Sequence, residues 1–186
     1  MRLTEAFVAE KAAEYDREEP FVPVEEENVE TLPEAFAEGE FGFRDAEWVV
    51  QWFYRRPSAE YSNRDQREGE AAFAANERQA VRRAVTDAAT GGSLAERVDR
   101  LRELEGVDLP IASAFLFFSD PDRYVVVGPR EWGALRAAGG IEGECPDPLD
   151  LTGYERYLER CRALSDRFDC DMWTLYRALW RLGDET

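Results

Sequence analysis

The chain contains no histidine, and of its 23 basic residues only Lys11 is lysine, the other 22 being arginine. Without histidine it lacks the commonest general base near neutral pH and the commonest metal ligand. Cysteine is scarce too. Cys145, Cys161 and Cys170 are odd in number and no two stand as Cys-x-x-Cys. That excludes the ordinary zinc sites and a disulfide framework, and predicts reduced thiols in a cytoplasmic protein. A carboxylate-only Mg²⁺ or Ca²⁺ site has no distinguishing pattern among so many acids, so no metal and no cofactor are expected. No segment approaches 18 uninterrupted apolar residues, so no membrane-crossing helix is expected. The first residues lack the basic segment and apolar run of a signal peptide.

What is present is an abundance of acidic and aromatic residues. Forty acidic residues give a net charge of −17 in 186 residues, while 44 % of the chain is apolar and 12 % aromatic, with five tryptophans. A chain with that apolar content is long enough to bury a core and is not disordered as a whole. An acidic, lysine-poor surface rich in small apolar residues suits a salt-loving cytoplasm, where screening suppresses the mutual repulsion of the carboxylates. The charge is uneven. Residues 1–45 hold 14 acids and 4 bases, so −10 of the −17 lies there. The expected organisation is an acidic N-terminal helix and loop over 1–43, then a helical domain over 44–186.

Apolar spacing predicts helices throughout. Leu3, Ala6, Phe7, Val8 and Tyr15 outline the first. EEPFVPVEEENVETLPEAF, with three prolines and a carboxylate run, reads as a loop with at most a short helix. RDAEWVVQWFYRR carries Trp48, Trp52 and Phe53, with Asp45 as the expected N-cap and Pro57 as the stop; its aromatics read as core rather than as a base-stacking platform. One long amphipathic region is expected from about Asp65 to Thr90, ended by Gly91-Gly92. Ser93 with Glu96 forms a capping box for a helix through Leu94, Val98, Leu101 and Leu104. Tyr124 to Val127 reads as a short extended piece, and Gly128-Pro129 as a helix start. A loop spans 139–150. Thr152 with Glu155 reads as a second capping box, and a last helix runs from about Asp171. No alternating strand pattern of any length appears, so the expected class is all-α.

One connection has a more specific form. RVDRLRELEGVDLPIASAFL places Leu104, Gly106, Val107 and Ala112 around a tight turn, and Tyr124-Val125-Val126-Val127 then leads into the next helix. This order resembles the helix-hairpin-helix of the DNA glycosylase superfamily, over roughly residues 70–182, in a divergent member of haloarchaeal type. The resemblance implies a helical glycosylase-like domain whose hairpin backbone holds a DNA phosphate. Gly106, Val107, Asp108 and Leu109, with Arg130 beyond the hairpin, are the nucleic-acid-binding positions it implies. The departures fall on the chemistry. Asp108 stands where the second hairpin glycine is expected, Pro110 at the lysine position of lyase-type members, and Gly128 at the aspartate position. Asp122 and Glu131 are the carboxylates nearby that could substitute in catalysis. Their plainer roles are turn formation and a favourable helix N-terminal charge.

Arginine supplies the other binding chemistry. Residues 55–103 hold ten arginines against nine acids, including Arg78, Arg82 and Arg83, and then Arg97, Arg100 and Arg102. Guanidinium groups suit bidentate phosphate contacts; the plainer reading is ion-paired helices, Arg83 with Asp87 and Arg100 with Glu96. Three functions follow in order: a catalytically lapsed relative that binds DNA or a nucleotide, a helical scaffold for a protein partner, and an active base-excision enzyme with a relocated carboxylate. The surface charge itself gives a testable consequence. The melting temperature should rise steadily from low to molar salt; a melting curve indifferent to salt would remove the salt-adapted interpretation.

Overall fold

A computed structural model describes residues 3–56 and 61–183, and among these every regular element is helical. The ten helices are α1 (Glu5–Glu18), α2 (Val22–Glu38), α3 (Phe43–Arg55), α4 (Asn63–Ala74), α5 (Arg78–Thr90), α6 (Leu94–Arg102), α7 (Leu109–Ser119), α8 (Pro129–Ala137), α9 (Leu151–Phe168) and α10 (Met172–Gly183). No described helix is long and apolar enough to cross a membrane. Contacts divide the chain into two compact units, one of residues 1–26 with 121–186 and one of residues 27–120.

In the discontinuous unit, α1 and α8 both pack on α10. Tyr15 of α1 meets Trp173 of α10 edge-on at 5.9 Å, and Trp173 stacks on Tyr176. The Tyr15 hydroxyl lies 2.9 and 3.0 Å from the two carboxylate oxygens of buried Glu25, to which it donates. Around this apolar seam the acidic helix is tied by arginine. Arg181 reaches Glu14, Glu18 and Glu19, and Arg177 reaches Asp16. Arg181 and Glu14 are largely shielded from solvent, so salt screens their attraction less than it screens the exposed carboxylates. The Tyr124–Val127 segment is buried and extended, and Val125 offers its carbonyl to the Tyr154 hydroxyl at 3.1 Å. Asp150, rather than Thr152, caps α9, accepting the Gly153 amide at 2.7 Å.

In the continuous unit, α7 is the core. Leu109, Ile111 to Phe118 are all buried, so this helix has no solvent face and must be covered all round. Trp48 and Trp52 of α3 meet Phe118 edge-on at 5.2 and 4.9 Å, while Phe36 of α2 and Phe73 of α4 approach Phe115. Each such aromatic contributes about 1.5–3 kcal/mol relative to its exposed state.

Three local expectations give way here. Residues 22–38 are helical, not a loop. Pro23 sits in the first turn, where its missing N–H costs nothing. Only Pro33 is interior, and buried Leu32 and Phe36 offset the lost bond. The 65–90 region is two helices, because Asn76 turns back to donate to the Phe73 carbonyl at 2.9 Å. Gly42, not Asp45, is the N-cap of α3; Asp45 lies in the first turn and accepts the Gly42 amide at 2.7 Å.

The α6–α7 connection is seated against α4 backbone to backbone. Gly106 adopts φ +77°, and a Cβ there would stand 2.8 Å from both the Gly69 carbonyl oxygen and the Phe73 nitrogen. Gly69 in turn lies under the Tyr54 hydroxyl, where a Cβ would come to 2.3 Å. Gly106→Ala should therefore cost about 2–4 kcal/mol in urea unfolding, from the left-handed backbone plus overpacking. Gly91→Ala, at an extended residue with open space around it, should stay within about 0.5 kcal/mol. Equal costs at both positions would show that the close crossing is not what makes Gly106 necessary.

Candidate nucleic-acid interface

The hairpin expected to hold phosphate is α6, the Glu103–Asp108 turn and α7. Asn76 clamps it. Its side-chain amide donates to the Glu105 carbonyl and accepts the Glu105 N–H, both at 2.9 Å. Val107 and Leu109 are buried, and Gly106 is pressed on α4. At the start of α7, Asp108 is the N-cap and accepts the Ile111 amide at 3.0 Å, while Pro110 has no amide to offer. A carboxylate thus occupies the place where a bound anion would meet these amides. Asp108 is an exposed residue, but crowding around its carboxyl raises the pKa by desolvation; hydrogen bonds from Ile111 and its own amide, and the charge of Arg102, pull the other way.

The remaining candidate residues lie in the discontinuous unit. Arg130 is committed to α10: it donates to the Trp180 carbonyl at 3.1 Å and its guanidinium lies 3.8 Å over the Trp180 ring. Glu131 is fully buried in the first turn of α8. Near it, burial holds the Cys161 thiol at about 12 and, with Cys161 and then Glu131 adding to it, the Tyr157 hydroxyl well above its usual value. A carboxylate so enclosed has no access to a sugar. Asp122 is an exposed turn residue. Gly128 is the N-cap of α8 and brings no side chain to the position where the resemblance asks for an aspartate. Among the described residues no cluster of cysteine, aspartate or glutamate could hold a metal ion.

The arginines are arranged differently from the ion-paired expectation. Glu96 is occupied by the capping box, accepting the Ser93 amide at 2.7 Å and hydroxyl at 2.8 Å. Arg100 pairs instead with Glu103 at 3.2 Å. Arg97 is buried and turned inward onto the carbonyls of Ala88, Ala89 and Gly92, capping the end of α5. Arg78, Arg82 and Arg83 are exposed on α5, and none forms an ion pair with a described residue, Asp87 included. Arg82 donates to the Phe41 carbonyl at 3.3 Å. Beside it opens a cleft of about 360 Å³ lined by Phe41, Gly42, Phe43, Arg78, Gln79 and Arg82, together with Val81. Phe41, Gly42 and Phe43 lie far from α5 in sequence, and nothing in their local pattern indicates that they meet it.

No family model, curated protein or solved structure matches the chain. What the interface can do is decided by its own geometry. That geometry offers a closed, self-capped hairpin on one side and unpaired arginines on the other.

The raised pKa of Asp108 has a definite sign. The folded chain holds this proton more tightly than the unfolded chain, so the contribution favours folding at low pH. It is lost as pH rises from the ordinary aspartate value, about 3.9, through the higher folded value. Asp108→Asn, which keeps a capping acceptor, should gain stability over the parent at neutral pH and lose that gain near pH 3. An advantage unchanged down to pH 3 would mean the charge is not its source.

Proposed function

We propose that this protein is a non-catalytic nucleic-acid-binding member of the helix-hairpin-helix glycosylase kind, holding phosphate through α5 rather than through its hairpin amides. The observation that carries the proposal is the set of exposed arginines Arg78, Arg82 and Arg83, unpaired in a chain of net charge −17. Guanidinium groups left without carboxylates amid such an excess of acid are placed for an external anion. The hairpin order and the left-handed Gly106 support the kinship; Pro110, Gly128 and enclosed Glu131 support its non-catalytic part, since none supplies the amine or accessible carboxylate of lyase or hydrolytic chemistry.

A second reading, a helical scaffold for a protein partner, is favoured by the hairpin itself. Its turn is filled by Asn76 and α4, as in an element retained for packing.

Titration of full-length protein against duplexes, intact or containing an abasic site, separates the two. Binding is expected without base release. Arg83→Ala should weaken it on all sequences alike and reduce the slope of log affinity against log salt by about 1. Absence of binding at every salt concentration would leave the scaffold.

A further inference from the structure

The cleft beside α5 is more specific than a track of surface charge. Arg78 and Arg82 stand one helical turn apart on the same face, and both residues border the same small volume. Arg82 is fixed through its bond to the Phe41 carbonyl, while Arg78 has no partner among the described residues. α5 begins at this cleft with no acid in its first turn, and its N-cap, Glu77, makes no side-chain bond to the opening amides. Asp45, close in sequence to the Phe41–Phe43 wall, is held as the cap on the Gly42 amide. The other wall is aromatic. Phe43 is half-buried and backed by Phe73, its ring stacked at 5.7 Å. A volume of about 360 Å³ falls within the range of small-ligand sites, about 300–1,000 Å³.

Two arginines bordering one volume suit a doubly charged phosphate better than the singly charged diesters of a strand interior. An aromatic wall beside them supplies a stacking face for a planar base. We propose that the cleft bounded by Arg78, Arg82 and Phe43 is a binding site for a nucleoside phosphomonoester, either a free mononucleotide or the 5′-phosphorylated end of a strand. This deepens the nucleic-acid reading and rests on its assignment of α5 as the phosphate-holding helix.

The test uses the full chain and calorimetric or fluorescence titration. Adenosine 5′-monophosphate is compared with adenosine, and a single-stranded oligonucleotide bearing a 5′-phosphate with the same oligonucleotide bearing a 5′-hydroxyl. The phosphorylated member of at least one pair should bind about tenfold tighter or more. Preference in the first pair identifies a free nucleotide as the ligand, and preference confined to the second identifies a strand end. Arg78→Gln, at a side chain with no structural bond, should abolish the preference while leaving the melting temperature unchanged. Phe43→Leu should weaken adenosine 5′-monophosphate and leave inorganic phosphate, used as competitor, unaffected. No preference in either pair, or a preference that survives Arg78→Gln, overturns the proposal. Oligonucleotides bound through Arg83 without regard to the 5′-phosphate would overturn it and leave strand binding intact. Mononucleotide binding with no strand bound would uphold the cleft and remove the strand-binding role.

Discussion

An eleven-residue helix with almost no polar face must be covered on every side, and α7 imposes that condition on the whole of residues 27–120. Phe115 takes Phe36 from α2 and Phe73 from α4; Phe118 takes Trp48 and Trp52 from α3. The connection into it runs close to another helix. It does so where Gly106 meets the backbone of α4 and Asn76 satisfies both the amide and the carbonyl of Glu105. Asn76 thereby holds the turn's amide and carbonyl within the chain.

The hairpin and α5 accordingly differ in what they leave open to an anion. Asp108 contributes a cap to α7 at the cost of placing a negative charge where phosphate would lie. On α5, Arg83 forms no ion pair with Asp87, and Arg78 and Arg82 likewise have no carboxylate partner among the described residues. Local capping on α6 shapes the electrostatics of the region, since Glu96 held by Ser93 is not available to Arg100. In the discontinuous unit the balance is the reverse. Arg177 and Arg181 are spent on the carboxylates of α1, and Arg130 on the ring and backbone of Trp180. These three arginines are structural, and the buried Glu131 belongs to the interior.

Much of the secondary structure was legible because helical spacing and capping are local. The Ser93–Glu96 box, the Gly128-Pro129 start and the apolar stripes of α6, α9 and α10 stand in the structure where the spacing placed them. The 22–38 segment misled because its prolines and carboxylates are breakers only when no core holds them; Leu32 and Phe36 supply that hold from residues distant in sequence. The capping box of α9 misled because Asp150 and Thr152 both offer an acceptor, and only the backbone path selects between them. Of the site, the three α5 arginines could be singled out from the sequence, but whether carboxylates would neutralise them could not. Spacing permits an ion pair without requiring one.

The sequence by itself determined an all-helical chain, the want of histidine and zinc chemistry, an acidic surface and a tight glycine turn ahead of its most apolar helix. These depend on composition and on residues within a few positions of one another. Only the tertiary structure decided that α1 belongs with α8, α9 and α10, that the Gly106 turn faces α4, that Glu131 is enclosed, and that Phe41 and Phe43 meet Arg78 and Arg82. Each of these is a meeting of residues far apart along the chain. It is fixed by which apolar faces cover one another, which no local pattern encodes.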